Sequence, residues 1–476
     1  MQLDIIKGGE KLKYSELRKE VSRIIPGARP FFKADKKASA VKEKGRKRNY
    51  SQYNLLHKEW RKQERLLNTE EINSFLEVSV RAAACPMPFN MDIWDGLLCP
   101  FGCIYCYADA FRASLYTSFF DNSKSMGFRH CNSDYYKREI DKMLPLRKKD
   151  PHSLTGIKKA FSLEIPVRMG IRFEDFLRQE KKAGISLDML EYLKSIDYPV
   201  MINTKSDLVK EDKYVKALSE NPAGAAVHIT LITSDNRINK NLEPGAPSYD
   251  QRLEAMKILA AEGVRVVARI EPYIFLLNDA EEDIKKYAND LVKAGIKNIT
   301  FDTYSYSANN PGIRQSFINK GYDFDRAFLA GCDSQKLGSL LLGSYMEEFR
   351  KYGISCSTFD MGNVPDNEQD ICCEVTDWFK RGWNYGCTVM AGRYIMKEGK
   401  PVGWAKFRNW VNERGGFLDS RLEEEVHRLW NLEGNNAYSH SWAKGMLAVG
   451  WDEEGIVWLY SDKKDERKNL LEIIRK

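Results

Sequence analysis

The chain has 476 residues, of which 43% are hydrophobic and 12% aromatic. This composition excludes a disordered protein and predicts a globular one of two or three domains. The sequence shows no signal-peptide hydrophobic region and no apolar run long enough to cross a bilayer, so we expect a soluble cytoplasmic protein without membrane contact. In that reducing compartment its ten cysteines favour metal binding or catalysis over disulfides.

The N-terminal part carries the positive charge of the whole chain. Residues 31–65 contain twelve Lys or Arg against four Asp or Glu, a local excess of +8 beside a total net charge of +7. Tyr50, Tyr53 and Trp60 lie among these charges. Such a segment can neutralise phosphates and stack rings on bases, which makes nucleic acid a candidate partner. The alternative is a solvated arm or helix with no partner.

The middle of the chain, from Asn90 to Ser307, alternates β-rich runs with amphipathic stretches of helical length. Strands alternating with helices predict a parallel sheet with right-handed crossovers, and six such units suit an open barrel with its chemistry at the C-terminal strand ends. The predicted strands are 89–97, 161–171, 198–206, 225–233, 264–274 and 298–307. The clearest predicted helices are 248–263, with Leu253, Met256, Leu259 and Ala260 on one face, and 280–295, with Ile284, Tyr287, Leu291 and Val292.

Three cysteines, Cys99, Cys103 and Cys106, stand together directly after the first predicted strand, in the sequence LCPFGCIYCYADA. Structural zinc usually takes four ligands, often as two separated Cys-x-x-Cys pairs, and a lone triplet does not fit that pattern. Three thiolates on a four-iron cluster would leave one iron open for a small molecule. The sequence therefore favours an iron–sulfur site over zinc or structural cysteines.

The run C-PFG-C-IY-C resembles the signature of the radical S-adenosylmethionine enzymes, whose cluster loop follows the first strand of a partial (β/α)6 barrel. Residues 228–274, with their E-P-x-A-P-S segment and R-L helix, resemble the spore photoproduct lyase-like branch, and so does INTKSDLV at 202–209. The likeness covers about residues 85 to 310. It implies a 4Fe-4S cluster on the three cysteines, reductive cleavage of S-adenosylmethionine to a 5′-deoxyadenosyl radical, and a reducing partner such as flavodoxin or ferredoxin.

The resemblance also assigns roles to single residues near the cluster loop. Tyr105 matches the aromatic that packs near the adenine, and Tyr107 matches a tyrosine implicated in returning a hydrogen atom. Lys205 matches a lysine that binds the cofactor's carboxylate, and Asn203 shares its strand face because strand side chains alternate.

Three further residues are candidates for cofactor contacts. Thr230 and Arg269 suit the ribose and carboxylate, although Arg269 can instead form an ordinary ion pair with Glu271. Gly170 can let the backbone approach the methionine end, but the superfamily's usual G-G-E cluster is absent there. Residues 161–173 also lack the second-strand cysteine of spore photoproduct lyases, so we expect a member of the branch and not a lyase of that kind.

The C-terminal part carries further cysteines beyond the predicted barrel. Cys356, Cys372, Cys373 and Cys387 can hold a second Fe-S cluster, or they can be small buried hydrophobes. A hairpin is predicted at DEEG, within a mixed domain. The expected domains are a basic extension at 1–88, the barrel at 89–330 and a C-terminal domain at 331–476.

The predicted function is radical chemistry on a nucleic-acid base, either repair or modification. One alternative keeps the chemistry and changes the substrate to a peptide or small molecule. The other is a non-catalytic, metal-stabilised nucleic-acid-binding protein, in which the triplet only stabilises a fold.

Overall fold

The structure is a computed structural model of the full chain. The basic segment 31–65, Tyr107, Cys372, Cys387 and the tail after Tyr460 lie outside the residues that it describes. The described residues are 6–7, 10–11, 13–24, 70–72, 77–78, 89–96, 99–106, 128–171, 173–304, 317, 319–320, 335–358, 373–375, 378–379, 388–433 and 446–460.

The strands are numbered in chain order. They are β1 Ile6–Lys7, β2 Glu10–Lys11, β3 Glu70–Ile72, β4 Glu77–Val78, β5 Phe89–Asn90, β6 Trp94–Gly96, β7 Phe128–Cys131, β8 Val167–Met169, β9 Val200–Thr204, β10 Ala225–Thr230, β11 Arg265–Tyr273, β12 Asn298–Thr303, β13 Ser355–Thr358, β14 Met446–Asp452 and β15 Gly455–Tyr460.

The α-helices are numbered in the same way. They are α1 Tyr14–Ile24, α2 Ser133–Asp141, α3 Gly156–Ser162, α4 Glu180–Ala183, α5 Ile185–Ser195, α6 Asp212–Ser219, α7 Asn236–Leu242, α8 Tyr249–Ala261, α9 Glu281–Lys293, α10 Gln335–Arg350, α11 Thr388–Glu398, α12 Trp404–Asn412 and α13 Ser420–Trp430. Short 3-10 helices occupy Leu144–Lys148, Pro151–Ser153 and Leu208–Lys210. Among the described residues, no helix combines the length and apolarity that a membrane crossing requires.

An eight-stranded sheet organises the middle of the chain, in the order β13-β12-β11-β10-β9-β8-β5-β4. Every neighbouring pair from β5 to β13 is parallel, and β4 joins the edge antiparallel to β5. The α/β class and the parallel sheet predicted from the sequence are therefore confirmed. Each new parallel strand is added beside the previous one, so right-handed crossovers place the connecting helices on one face.

The predicted elements correspond closely to those of the structure. Each of the six predicted strands contains a strand, but the second begins only at Val167 because its first residues close α3. The predicted helices are α8, which begins with a capping box between Ser248 and Gln251, and α9. Val292 is 49% exposed, so its assignment to the core face of α9 is wrong, and Ala288 takes that place. On α8, Leu253 and Ala260 are only half-buried.

Alternation along the strands gives the sheet one apolar and one polar face. On β11, Val266, Ala268 and Ile270 are buried in the main hydrophobic core, whereas Arg269 and Glu271 point the other way. In-register neighbours share a face, so polar side chains of the adjacent strands line the same side. Its members include Asn90, Arg168, Asn203, His228, Thr230, Arg269, Glu271 and Thr300.

The C-terminal part packs against the sheet domain through defined contacts. The Gly156 amide at the start of α3 donates to the Leu418 carbonyl at 2.8 Å. Trp404, Phe407 and Trp430 of α12 and α13 form an aromatic cluster. The predicted hairpin at DEEG is confirmed as β14 and β15.

Candidate active site

The cysteine loop, residues 99–106, lies beyond the C-terminal end of β5, the first strand of the parallel array. The sequence predicted that the loop directly follows this strand. In the structure β6 lies between them and pairs with β7 in a separate three-stranded sheet. Active sites of parallel α/β folds are built at the C-terminal ends of the strands. The loop is thus at the edge where chemistry is expected.

Two tight turns shape the cysteine loop. The Gly102 amide donates to the Cys99 carbonyl at 3.1 Å, and the Cys106 amide donates to the Cys103 carbonyl at 3.1 Å. Gly102 has φ of 53°, in the left-handed region that glycine adopts without strain. One cysteine therefore begins the first turn, and the other two begin and end the second.

The three thiols of the cysteine loop are candidate ligands of one metal group. Among the described residues, no three His, Cys, Asp or Glu side chains converge as ligands of one metal ion would. The three thiols nevertheless influence one another. Burial raises the pKa of the Cys103 thiol, Lys205 opposes that rise, and Glu243, Cys106 and Cys99 add to it. Three half-buried thiols on one short loop are the kind of side chains that ligate an iron–sulfur cluster.

A cradle formed by residues 242–245, from the end of α7 into the E-P-x-A-P-S segment, holds the cysteine loop. The Ile104 amide donates to the Leu242 carbonyl at 2.9 Å, and the Gly245 amide donates to the Phe101 carbonyl at 2.9 Å. A Cβ added to Gly245 would lie 2.1 Å from the Pro100 carbonyl oxygen. The close approach of two backbones therefore requires glycine at this position.

Tyr105 connects the loop to a buried ion pair. Its hydroxyl donates to Oε1 of Glu243, and Nη2 of Arg252 lies 2.6 Å from Oε2 of the same carboxylate. Arg252 also donates through Nη1 to the Thr230 carbonyl at 2.8 Å. Burial, followed by the charge of Glu243, raises the pKa of Tyr105 well above its usual range, so the hydroxyl stays protonated and donates.

Lys205 lies next to Tyr105, and its Nζ is 5.6 Å from the centre of the tyrosine ring. The Lys205 amide donates to Glu174 at 2.9 Å, and the Thr204 hydroxyl donates to the same carboxylate at 2.6 Å. Ile274 belongs with Tyr105 to a small apolar cluster, against which Cys103 packs. The structure thus brings together two predicted cofactor residues and one predicted ligand.

A close backbone contact, which the sequence did not reveal, requires glycine at position 170. It has φ of +74°, and a Cβ there would lie 2.0 Å from the Asn203 carbonyl oxygen. Its amide donates to Asp175 at 2.7 Å, and that buried carboxylate also accepts the Trp94 amide at 2.9 Å and the Ile93 amide at 3.0 Å. Asp175 therefore ties the end of β8 to the segment that leads into the cysteine loop.

The remaining predicted cofactor residues lie on the polar face of the sheet. Thr230 and Arg269 are in-register neighbours, and Arg269 forms the ion pair with Glu271 that was the alternative to a cofactor contact. Asn203 pairs in register with His228. Within the described part of the chain, Oδ1 of Asn203 and Nε2 of His228 are buried without a hydrogen-bond partner.

Sequence reasoning missed several residues that support the loop: Glu174, Asp175, Glu243, Gly245 and Arg252. Two signals were available. The first two are carboxylates just after a predicted parallel strand, where functional groups collect. The others belong to the E-P-x-A-P-S segment and the R-L helix, the part of the sequence that resembles the spore photoproduct lyase-like branch.

The described C-terminal cysteines lie apart from the cysteine loop. Cys356 is near the start of β13, 1% exposed, and its thiol donates to the Ile354 carbonyl at 3.4 Å. Cys373 is buried next to Glu374, which accepts hydrogen bonds from Asn298 and Ser355, the first residues of β12 and β13. Both therefore lie toward the N-terminal edge of the sheet, and the second cluster stays a prediction.

No protein-family model matches the chain. An uncharacterized protein of Mycobacterium tuberculosis is 22% identical over 134 residues, which are 28% of this chain and 39% of that protein. An uncharacterized protein of Methanocaldococcus jannaschii is 35% identical over 91 residues, 19% of this chain and 34% of that protein. The match therefore spans well under half the length of either relative.

Two kinds of solved structure resemble the chain. Spore photoproduct lyase complexed with dinucleoside spore photoproduct has a TM-score of 0.42 at 15% identity, over 60% of this chain and 78% of that one. Streptococcus suis SuiB bound to its precursor peptide SuiA has a TM-score of 0.36 at 15% identity, over 65% and 54%. Because both scores are below 0.5, neither likeness carries a conclusion about function.

Proposed function

We propose that this protein is a radical S-adenosylmethionine enzyme of the spore photoproduct lyase-like branch, with Cys99, Cys103 and Cys106 as ligands of a 4Fe-4S cluster. One observation carries the proposal. The C-x3-C-x2-C loop lies at the C-terminal edge of a sequentially ordered parallel sheet, where a dedicated cradle fixes it. On this proposal the sheet is the partial (β/α)6 barrel of that superfamily.

A site-differentiated cluster, when bound, supplies the electron that cleaves S-adenosylmethionine to methionine and a 5′-deoxyadenosyl radical. The chain's own residues bind the cluster and the cofactor and shield them from water. The three thiolates hold the cluster, and Tyr105 and its apolar neighbours exclude water from one side. Lys205 offers a cation to the cofactor's carboxylate, beside the ring that would face the adenine. Gly170, Asn203, Thr230 and Arg269 are further cofactor candidates.

The test is anaerobic purification followed by replacement of all three cysteines with Ala. The wild-type protein should be brown and form 5′-deoxyadenosine with a chemical reductant or a flavodoxin or ferredoxin. The variant should lose about four irons per chain and all cleavage, because the ligands are thiolates. A colourless, zinc-loaded wild type would refute the proposal and favour a metal-stabilised binding protein.

We further infer that the substrate is a nucleic acid, recruited by residues 31–65. The anchoring of α1 supports this. Tyr14 donates to Asp279 at 2.5 Å, and Arg18 pairs with the same buried carboxylate at 3.1 Å. Asp279 follows β11 and so belongs to the C-terminal edge of the sheet. Because seven peptide units link Ile24 to Phe31, the basic segment begins within about 25 Å of the end of α1.

On this proposal the positive segment reaches the edge of the sheet that carries the cysteine loop. Binding of DNA or RNA that weakens steeply with salt would support the inference. Turnover of a peptide or small molecule, with no affinity for nucleic acid at any salt concentration, would overturn the substrate class and leave the radical chemistry in place.

A further inference from the structure

The Glu243–Arg252 pair is an unusual feature so close to the cysteine loop. Both side chains are 0% exposed. Burying two charges is expensive, and apolar side chains of similar volume often stabilise a core equally well or better. Stability alone therefore gives little reason for an ion pair at this position.

The two members of the pair contact different parts of the fold. Glu243 accepts the hydroxyl of Tyr105, which lies between the second and third cysteines of the loop. Arg252 donates to the carbonyl of Thr230, at the C-terminal end of β10. The pair thus joins the cysteine loop to the end of a central strand through three consecutive contacts.

The pair also sets the balance of charge beside the thiols. The carboxylate of Glu243 accepts the hydroxyl of Tyr105, and Nζ of Lys205 lies 5.6 Å from the centre of the same ring, so both charges lie beside the cysteine loop. Arg252 neutralises that carboxylate, so Lys205 remains the net positive charge behind the loop. The reduction potential of an iron–sulfur cluster responds to such local charge and to hydrogen bonding around it.

We propose that Glu243 and Arg252 are positioning residues that fix the cysteine loop through Tyr105 and set the reduction potential of its cluster. The inference rests on the proposed function, because it requires the cluster to be present. Glu243 accepts the hydroxyl of Tyr105, while Arg252 balances the charge of the carboxylate. Neither residue needs to touch the cluster or the substrate.

Replacement of one charge separates this role from simple packing. Glu243→Gln keeps an acceptor for Tyr105 but leaves the guanidinium of Arg252 buried and unneutralised, and arginine does not lose its proton in proteins. The added positive charge should raise the midpoint potential of the cluster. The double variant Glu243→Gln/Arg252→Gln removes both charges and should return the potential to the wild-type value.

The experiment measures iron per chain and the midpoint potential, by redox titration of the reconstituted protein without substrate. The control is Glu164→Gln, which disrupts the ion pair of Glu164 with Arg147; that arginine also donates to the carbonyls of Ile196 and Asp197, just after α5. The control should keep both the iron and the potential of the wild type.

Two results support the inference: a raised potential in the single variant that the double variant reverses, or loss of iron in the single variant that the double variant restores. Unchanged iron and potential in Glu243→Gln would overturn it, and so would loss of iron in both variants. A wild-type protein that binds no cluster would instead refute the proposed function, and this inference with it.

Discussion

Replacing Gly245 with Ala tests whether the cradle holds the cysteine loop. The added Cβ would lie 2.1 Å from the Pro100 carbonyl oxygen and 2.8 Å from the Phe101 Cα, and real Cβ contacts essentially never fall below 3.0 Å. Both obstructing atoms belong to the backbone, so no side chain can turn away. The loop must therefore retreat by about 1 Å.

The cost follows from what that retreat disturbs. Overpacking a close contact costs about 1–3 kcal/mol. Loss of the 2.9 Å hydrogen bond from Gly245 to Phe101 adds about 1 kcal/mol. We expect a total loss of about 2–4 kcal/mol in unfolding free energy, or an undocked loop. A displacement of about 1 Å at a reacting centre can also lower the rate about 100-fold.

The assay compares thermal unfolding, bound iron and 5′-deoxyadenosine formation in wild type, Gly245→Ala and Gly450→Ala. Gly450 on β14 is the matched control, because a Cβ there meets no atom within 4 Å. We expect the control to stay within about 0.5 kcal/mol of wild type. If Gly245→Ala matched the wild type in all three measurements, the cradle would have no role in holding the loop.

Three further predictions concern the cofactor, the C-terminal cysteines and the substrate. Lys205→Ala should weaken S-adenosylmethionine binding by about 1.5–3 kcal/mol, through loss of a charged hydrogen bond, and leave the iron content unchanged; calorimetry showing wild-type affinity would exclude that contact. If Cys356, Cys372, Cys373 and Cys387 hold a second cluster, the variant lacking the three loop cysteines should retain about four irons, whereas an iron content of zero would make them core residues. If about six cations of residues 31–65 contact duplex phosphates, a plot of log K for binding against log salt concentration should have a slope of about −5, and deleting the segment should flatten that slope. Fluorescence anisotropy at two salt concentrations measures that slope, and equal slopes with and without the segment would contradict the prediction.

The sequence by itself determined the elements that depend on local pattern. Apolar alternation and helical periodicity are properties of neighbouring residues, so they located β8 to β12, α8 and α9. The hairpin at DEEG followed from its turn residues in the same way. The cysteine spacing and the preceding strand also predicted a loop beyond the C-terminal end of the first parallel strand, although β6 intervenes between the two.

Only the tertiary structure decided how that site is supported, because its contacts join residues far apart in the chain. Tyr105 and Glu243 are separated by 138 positions, and Trp94 and Asp175 by 81. The need for glycine at position 170 becomes evident only in the folded chain, where the carbonyl of Asn203 lies against it. Periodicity likewise could not tell Val292 from Ala288, since both follow Ile284 at helical spacing and only packing against the core selects one.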